Sequence, residues 1–216
     1  MKKFAVILSG CGVFDGAEIH EATLSLLAIA KKGCSYEIFA PDVVQYHVVN
    51  HLSGDEMEES RNVLVESARI ARGKIHDLKE FDPASYDGLL FPGGFGAAKN
   101  LSTWAFEGAD AAVLPEVELA IKGMLALKKP VGALCISPVI LAKILGEVHL
   151  TIGDDEGTID ALESLGTKHV YTTHGEVVVD PDHNLVTTPC YMLDANIVQI
   201  AEGADNVVDA MIKLME

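Results

Sequence analysis

The chain has 216 residues, 49% hydrophobic and 22% charged, enough apolar content to bury a substantial core as one domain over residues 1–216. Its formal charge of −16 excludes the clustered Lys and Arg that a nucleic-acid backbone or an anionic membrane surface requires, so neither is an expected partner. The four cysteines, Cys11, Cys34, Cys135 and Cys190, include no Cys-x-x-Cys pair and no zinc spacing; no disulfide framework or structural metal is signalled, and a reducing cytoplasm is the expected setting.

Two lysines precede the apolar run Phe4 to Leu8, which is too short for a signal-peptide core or a membrane span and reads as a buried first strand. Ser9 to Gly16 follows as a loop. Glu18 to Lys32 is predicted as a helix with Ile19, Ala22, Leu26 and Ile29 on its apolar stripe and Gly33 at its C-terminal end, and Tyr36 to Phe39 is the next strand. Asp42 to Asp55 is a polar excursion carrying His47, Asn50 and His51. Glu58 to Arg72 reads as a helix, Lys74 to Leu78 as a short extended piece and Asp82-Pro83 as a turn or helix start. Tyr86 to Phe91 is a strand ending in Pro92-Gly93-Gly94-Phe95-Gly96.

Glu116 to Lys128 is a helix, and Val131 to Leu134 a strand that runs into Cys135 and a helix from Pro138 to Leu145. Thr158 to Leu165 is a further helix closed by Gly166. Val177 to Val179 and Leu185 to Thr188 read as an edge hairpin around Asp180-Pro181-Asp182-His183-Asn184, and Ala195 to Leu214 as a last helix interrupted by Gly203. This alternation predicts an α/β fold with a mostly parallel sheet covered on both faces and an edge hairpin.

The strand–turn–helix at Ala133-Leu134-Cys135-Ile136-Ser137-Pro138 carries the chemistry. Unpaired amides at a helix start favour negative charge, so a thiol on such a turn is pushed toward thiolate. The Pro92-Gly93-Gly94 loop opens on the same sheet edge, where α/β folds bind ligands. That loop lacks the Gly-Lys-Ser/Thr ending of a phosphate cradle and the spacing of a dinucleotide site, and no metal-ligand pattern is visible, so no cofactor is expected. The competing reading is that Cys135 is a buried core cysteine.

Three blocks, Gly16-Ala17-Glu18, Phe91 to Leu101 and Ala133 to Pro138, resemble the active-site blocks of the ThiJ/PfpI superfamily. The stretches Ile7 to Glu21 and Leu185 to Leu193 are similar to its ElbB branch of isoprenoid-biosynthesis glyoxalases, and the likeness runs over essentially the whole chain. The resemblance implies a flavodoxin-like three-layer sandwich related to class I glutamine amidotransferases, assembled as a homodimer. It also implies that Cys135 is the nucleophile, that Glu18 is the carboxyl hydrogen-bonded to its sulfur, and that amides near Gly93, Gly94 and Ile136 form an oxyanion site. Cys11, His20, Asn100 and Cys190 are candidates for lining the same edge, with ordinary packing as the alternative for the cysteines.

Protease-like members place a histidine directly after the cysteine, where this chain has Ile136; His20 and His174 are the possible substitutes. The activity implied is a glutathione-independent glyoxalase, a lyase of low efficiency, in which the Cys135 thiolate forms a hemithioacetal with glyoxal or methylglyoxal and a 2-hydroxy acid is released. The main rival is a redox-responsive or accessory protein of isoprenoid metabolism with incidental carbonyl or deglycase activity. A glutaminase-like amidotransferase would need a His-x-Glu dyad late in the chain; none is expected after Cys135, and that reading is set aside on the expected absence.

Overall fold

The computed structural model describes residues 1–216. Nine strands, β1 (Lys3–Ile7), β2 (Ser35–Ala40), β3 (His76–Asp77), β4 (Gly88–Phe91), β5 (Val131–Leu134), β6 (His149–Leu150), β7 (Lys168–His169), β8 (Val178–Asp180) and β9 (Leu185–Thr188), alternate with eight helices. The helices are α1 (Ile19–Lys31), α2 (Val63–Ile70), α3 (Phe95–Lys99), α4 (Trp104–Glu107), α5 (Pro115–Ala126), α6 (Pro138–Leu145), α7 (Glu156–Ser164) and α8 (Ile197–Leu214). Seven strands form one sheet in the order β3-β2-β1-β4-β5-β9-β8, parallel except for the β8–β9 hairpin at its edge. The expected flavodoxin-like sandwich with an edge hairpin is therefore the fold.

The strands read as continuous apolar runs because both sheet faces are buried. In β1, Phe4 and Val6 pack against α1, α2 and α8, while Ala5 and Ile7 face the layer built from α3, α5, α6 and α7. In β5, Val131 and Ala133 turn to the second layer, and Leu134 to the first.

Several expected boundaries move for identifiable reasons. The helix expected from Glu58 begins only at Val63, because Arg61 to Val63 stay extended against Val43 to Gln45, with Gln45 N–H donating to Arg61 O and Val63 N–H to Val43 O. Gly203 does not interrupt α8. It lies against Thr188 and Cys190, where a Cβ would meet their side chains at 3.3 and 3.4 Å, and so lets the helix pack closely on β9. The small β6–β7 pair and helices α3 and α4, which the sequence reading did not separate from loop, complete the outer parts of the fold.

Asn100, a candidate lining residue, is instead a staple for three loops. Its buried amide donates to Ser9 O at 2.9 Å and Asp15 O at 2.8 Å, and its carbonyl accepts from Tyr46 N–H at 2.9 Å. Asn100→Ala leaves all three partners unpaired in a buried setting and is expected to destabilise the protein by ~3 kcal/mol in denaturant unfolding. A loss below ~1 kcal/mol would mean that water replaces the amide there.

Candidate active site

The sheet brings four loops to one edge, because β1, β4, β5 and β9 are adjacent and parallel and their carboxyl ends share a side. The chain reverses its winding direction between β1 and β4, and such a switch point is where open α/β sheets bind ligands. Phe91 pairs with Ala133 and Leu134 with Thr188, so two residues further on Gly93 lies beside Cys135, with the Pro189-Cys190-Tyr191 segment on its other side.

Cys135 stands at φ +60°, a left-handed backbone conformation that costs a non-glycine residue about 1–3 kcal/mol. The surroundings hold it there. Its N–H donates to Thr188 O at 2.9 Å, and two residues on the Ser137 hydroxyl donates to Pro92 O at 2.7 Å, tying the turn to both neighbouring strands. Such a strained strand-to-helix turn is how a nucleophile is lifted above an α/β sheet.

The glycines facing it have no alternative. A Cβ on Gly93 would sit 2.4 Å from Cys135 Cβ and 2.6 Å from Glu21 Oε2, and Gly94, at φ +95°, would place one 2.4 Å from Glu18 N. The backbone N–H groups of Gly94 and Ile136 stand on the Cys135 sulfur's side of the turn and favour its charged form. The Gly93 N–H is not available in the same way, since it donates to Glu21 Oε2 at 2.9 Å.

The carboxyl beside the sulfur belongs to Glu21, where the sequence reading had expected Glu18. Helix α1 begins at Ile19, so Glu18 is its N-cap and its carboxylate accepts from Glu21 N–H at 2.7 Å, while Glu18 N–H donates to Gly93 O at 2.9 Å. One turn in, Glu21 is fully buried on the same face as Ala22, Ser25, Leu26 and Ile29, whereas Ile19 turns outward to solvent. Glu21 lies beside the Cys135 thiol and accepts from Gly93 N–H at 2.9 Å and from Tyr191 N–H at 3.2 Å. Sequence could have pointed to it: Glu21 is a carboxyl on the inward stripe of an amphipathic helix.

Burial, and after it the charge of Glu18, push the Glu21 carboxyl up to about 8. Burial also drives the Cys135 thiol well above its ordinary value, with the Glu21 charge adding to the shift and the Gly94 and Ile136 amides opposing it. The expectation of a thiol lowered by a helix start is thus corrected: desolvation outweighs the two amides, and α6 begins only at Pro138.

The sulfur opens on a cavity of about 290 Å³ lined by Val13, Phe95, Ile136, Tyr191 and Met192, with Asp155 and Thr158 at its polar side. No histidine lines it. His20 hydrogen-bonds the Tyr191 hydroxyl at 2.8 Å from the exposed face of α1. The chain does contain a His-x-Glu spacing, His174-Gly175-Glu176, so spacing alone does not dismiss a glutaminase dyad. Geometry does: His174 donates to Asp194 O at 2.8 Å and lines a separate cavity with Glu176.

Cys190, at φ +43°, is buried against α8, and Cys11 lies half-buried among Glu66, Arg69 and Asp15; neither lines the cavity. No three His, Cys, Asp or Glu side chains come together at a spacing that would hold a metal ion.

A parallel sheet with a strained elbow cysteine, paired with a buried glutamic acid at a glycine loop, defines an α/β protein of the amidotransferase-like class. The chain is 46% identical over 222 residues to the human glutamine amidotransferase-like class 1 domain-containing protein 3, mitochondrial, covering 98% of this chain and 83% of that protein. It is 45% identical over 222 residues to the rat ES1 protein homolog, mitochondrial, covering 98% and 84%. It belongs to this ES1 family with a glutamine amidotransferase-like class 1 domain. No protein-family model matches the chain.

Among solved structures, an isoprenoid biosynthesis protein with an amidotransferase-like domain from Ehrlichia chaffeensis superposes over 100% of both chains with a TM-score of 0.93 at 34% identity. Glyoxalase III from Candida albicans shares the fold, with a TM-score of 0.63 at 15% identity over 97% of each chain. The expectation of a cytoplasmic setting is overturned by the names of the human and rat relatives, which point to the mitochondrion.

Glu21 binds its proton more tightly folded than unfolded, so its contribution to stability is full below the ordinary value of 4.5 and is lost as pH rises through about 8. Melting temperature is expected to fall across that window, with a slope from this group of up to ~1.4 kcal/mol per pH unit. Glu21→Gln should remove that component; a wild-type-like pH profile in the variant would place the titration elsewhere.

Proposed function

We propose that the protein is a cysteine-dependent glyoxalase that converts small dicarbonyls to 2-hydroxy acids without glutathione. The observation that carries this reading is the Cys135–Glu21 pair, with the free amides of Gly94 and Ile136 on the sulfur and a cavity open above it. Two like charges this close do not form together, so the pair sheds one proton near pH 8 and holds the second far above. The singly ionised pair is the working state: a proton shift between carboxyl and sulfur yields the thiolate.

The thiolate adds to the aldehyde carbon. A carbon–sulfur bond forms, the carbonyl pair moves onto oxygen, and the Gly94 and Ile136 amides turn to that oxygen as the sulfur loses its charge. The oxygen takes the proton that left the thiol, giving a hemithioacetal and leaving Glu21 as a carboxylate. Glu21 then removes the remaining hydrogen of that carbon as a proton to give an enediolate, the hydroxyl proton passes across to the neighbouring oxygen, and Glu21 returns its proton to the neighbouring carbon, which produces the thioester of the 2-hydroxy acid. Water hydrolyses the thioester and frees the thiol. One substrate carbon is oxidised as its neighbour is reduced, and the net change is the addition of one water.

A carboxyl titrating at about 8 is a stronger base than an ordinary glutamate and suits proton transfer near neutrality. It is the group that the sequence reading lacked when it expected low efficiency. A peroxide-sensing role is less well supported, because the resting thiol is buried and protonated. The Ehrlichia likeness supports a place in the isoprenoid-biosynthesis branch of the superfamily.

Cys135→Ala is expected to abolish dicarbonyl loss with the fold intact, and Glu21→Gln to lower kcat/KM by about 10²–10⁴ and erase a rise in rate through pH 8. Glu18→Gln, which weakens the helix cap and removes one of the two causes that raise Glu21, should stay within about tenfold of wild type and move the rise in rate to lower pH, while costing ~1 kcal/mol of stability. Assays of glyoxal and methylglyoxal consumption and of acid formation check all three. Retained turnover in Cys135→Ala would sink the covalent mechanism.

A further inference from the structure

The cavity above Cys135 is larger and more apolar than glyoxal requires. At about 30 Å³ for each water-sized group, glyoxal with its four heavy atoms fills less than half of the 290 Å³, whereas an aryl- or long alkyl-substituted dicarbonyl with some ten heavy atoms fills it. The apolar and aromatic residues that line the space are Val13, Phe95, Ile136, Tyr191 and Met192.

The charges around the cavity are of one sign. Glu21 and Glu18 stand behind the sulfur, and at the polar side the Asp155 carboxylate caps α7 by accepting from Thr158 N–H at 2.8 Å. No Lys, Arg or His lines it. Behind two of the lining rings stand basic groups that do not themselves line the cavity: Lys99 Nζ lies 5.1 Å from the Phe95 ring and donates to Phe14 O at 3.0 Å, and His20 Nδ1 is 2.8 Å from the Tyr191 hydroxyl. A carboxylate or phosphate on the substrate would enter a site with no cation to receive it, whereas a neutral apolar substituent gains from leaving water.

We propose, on the basis of the dicarbonyl reading above, that the preferred substrates are uncharged 2-oxoaldehydes whose second carbon carries an apolar group bulkier than methyl, and that the lining of Phe95, Tyr191 and Met192 selects them against anionic analogues. Phenylglyoxal and 4-carboxyphenylglyoxal test this as a matched pair of one shape and different charge, with glyoxal as the small reference. The wild-type protein should show kcat/KM at least about tenfold higher for phenylglyoxal than for glyoxal, and at least about tenfold lower for the carboxylated compound than for phenylglyoxal. Met192→Lys, which puts a cation into the lining, should narrow the second gap.

A second measurement separates this inference from the catalytic one: protection of Cys135 from iodoacetamide at pH 8.5, read by peptide mass mapping. Protection by phenylglyoxal well above that by the carboxylated compound, without turnover, would keep the ligand class and overturn the glyoxalase reading. Cys135-dependent turnover that is equal for the matched pair, or best for glyoxal, would overturn the ligand class and leave the glyoxalase reading in place. Neither protection nor turnover would overturn both.

Discussion

The site hangs on one buried carboxyl. Glu21 reaches from the first turn of α1 to the Gly93 amide after β4, the Cys135 sulfur after β5 and the Tyr191 amide after β9, so a single side chain joins the ends of three adjacent strands. Each of these donors would be an unpaired buried group without it, and unpaired buried polar groups cost about 1–3 kcal/mol apiece. The same contacts set its acidity: two backbone donors and the thiol lower it, yet burial and Glu18 prevail and leave it near 8. Structure and proton chemistry here are one arrangement.

That arrangement explains why so much strain collects at this edge. Cys135 and Cys190 both adopt left-handed backbone, and Gly94 sits where a Cβ would strike the start of α1. The first strain lifts the sulfur over the sheet, and the second turns Tyr191 so that its N–H reaches Glu21 while its ring faces the cavity. Strain of a few kcal/mol persists only where the surroundings over-determine it. Two core layers packed on parallel strands supply that rigidity, and the loops inherit their positions from the β4–β5–β9 register.

Much of this was legible in the sequence. Strands buried on both faces write themselves as short apolar runs, and α6 was placed from Pro138 to Leu145 because proline fixes its start. The elbow cysteine and the glycine loop stood out for the same reason, being abrupt ends to such runs. The buried carboxyl did not, because a stripe is drawn through apolar residues and a glutamate beside Ala22 is read as part of the solvated face, acidic side chains being rarely buried. Ala22, Leu26 and Ile29 lie inward as expected, but the buried face extends toward Glu21 and Ser25 rather than toward Ile19, which faces water. Gly203 misled by the converse route, since its packing against β9 depends on a contact distant in sequence.

A fold shared with amidotransferase-like proteins does not by itself give the chemistry of this edge, and function has to be argued from the site. A glutaminase requires a base that can take a proton from the cysteine and hand it to a leaving amine, and the chain's one His-x-Glu spacing lies in a loop that faces Asp194 and α8 rather than the sulfur. What stands beside the sulfur is a carboxyl poised near neutrality, which suits taking a proton from carbon and returning it one atom away. That chemistry needs no leaving amine, no metal ligand set and no second thiol. It needs a carbonyl that accepts a thiolate, a neighbouring carbon that accepts a proton, and an apolar chamber that keeps water from competing until the thioester has formed.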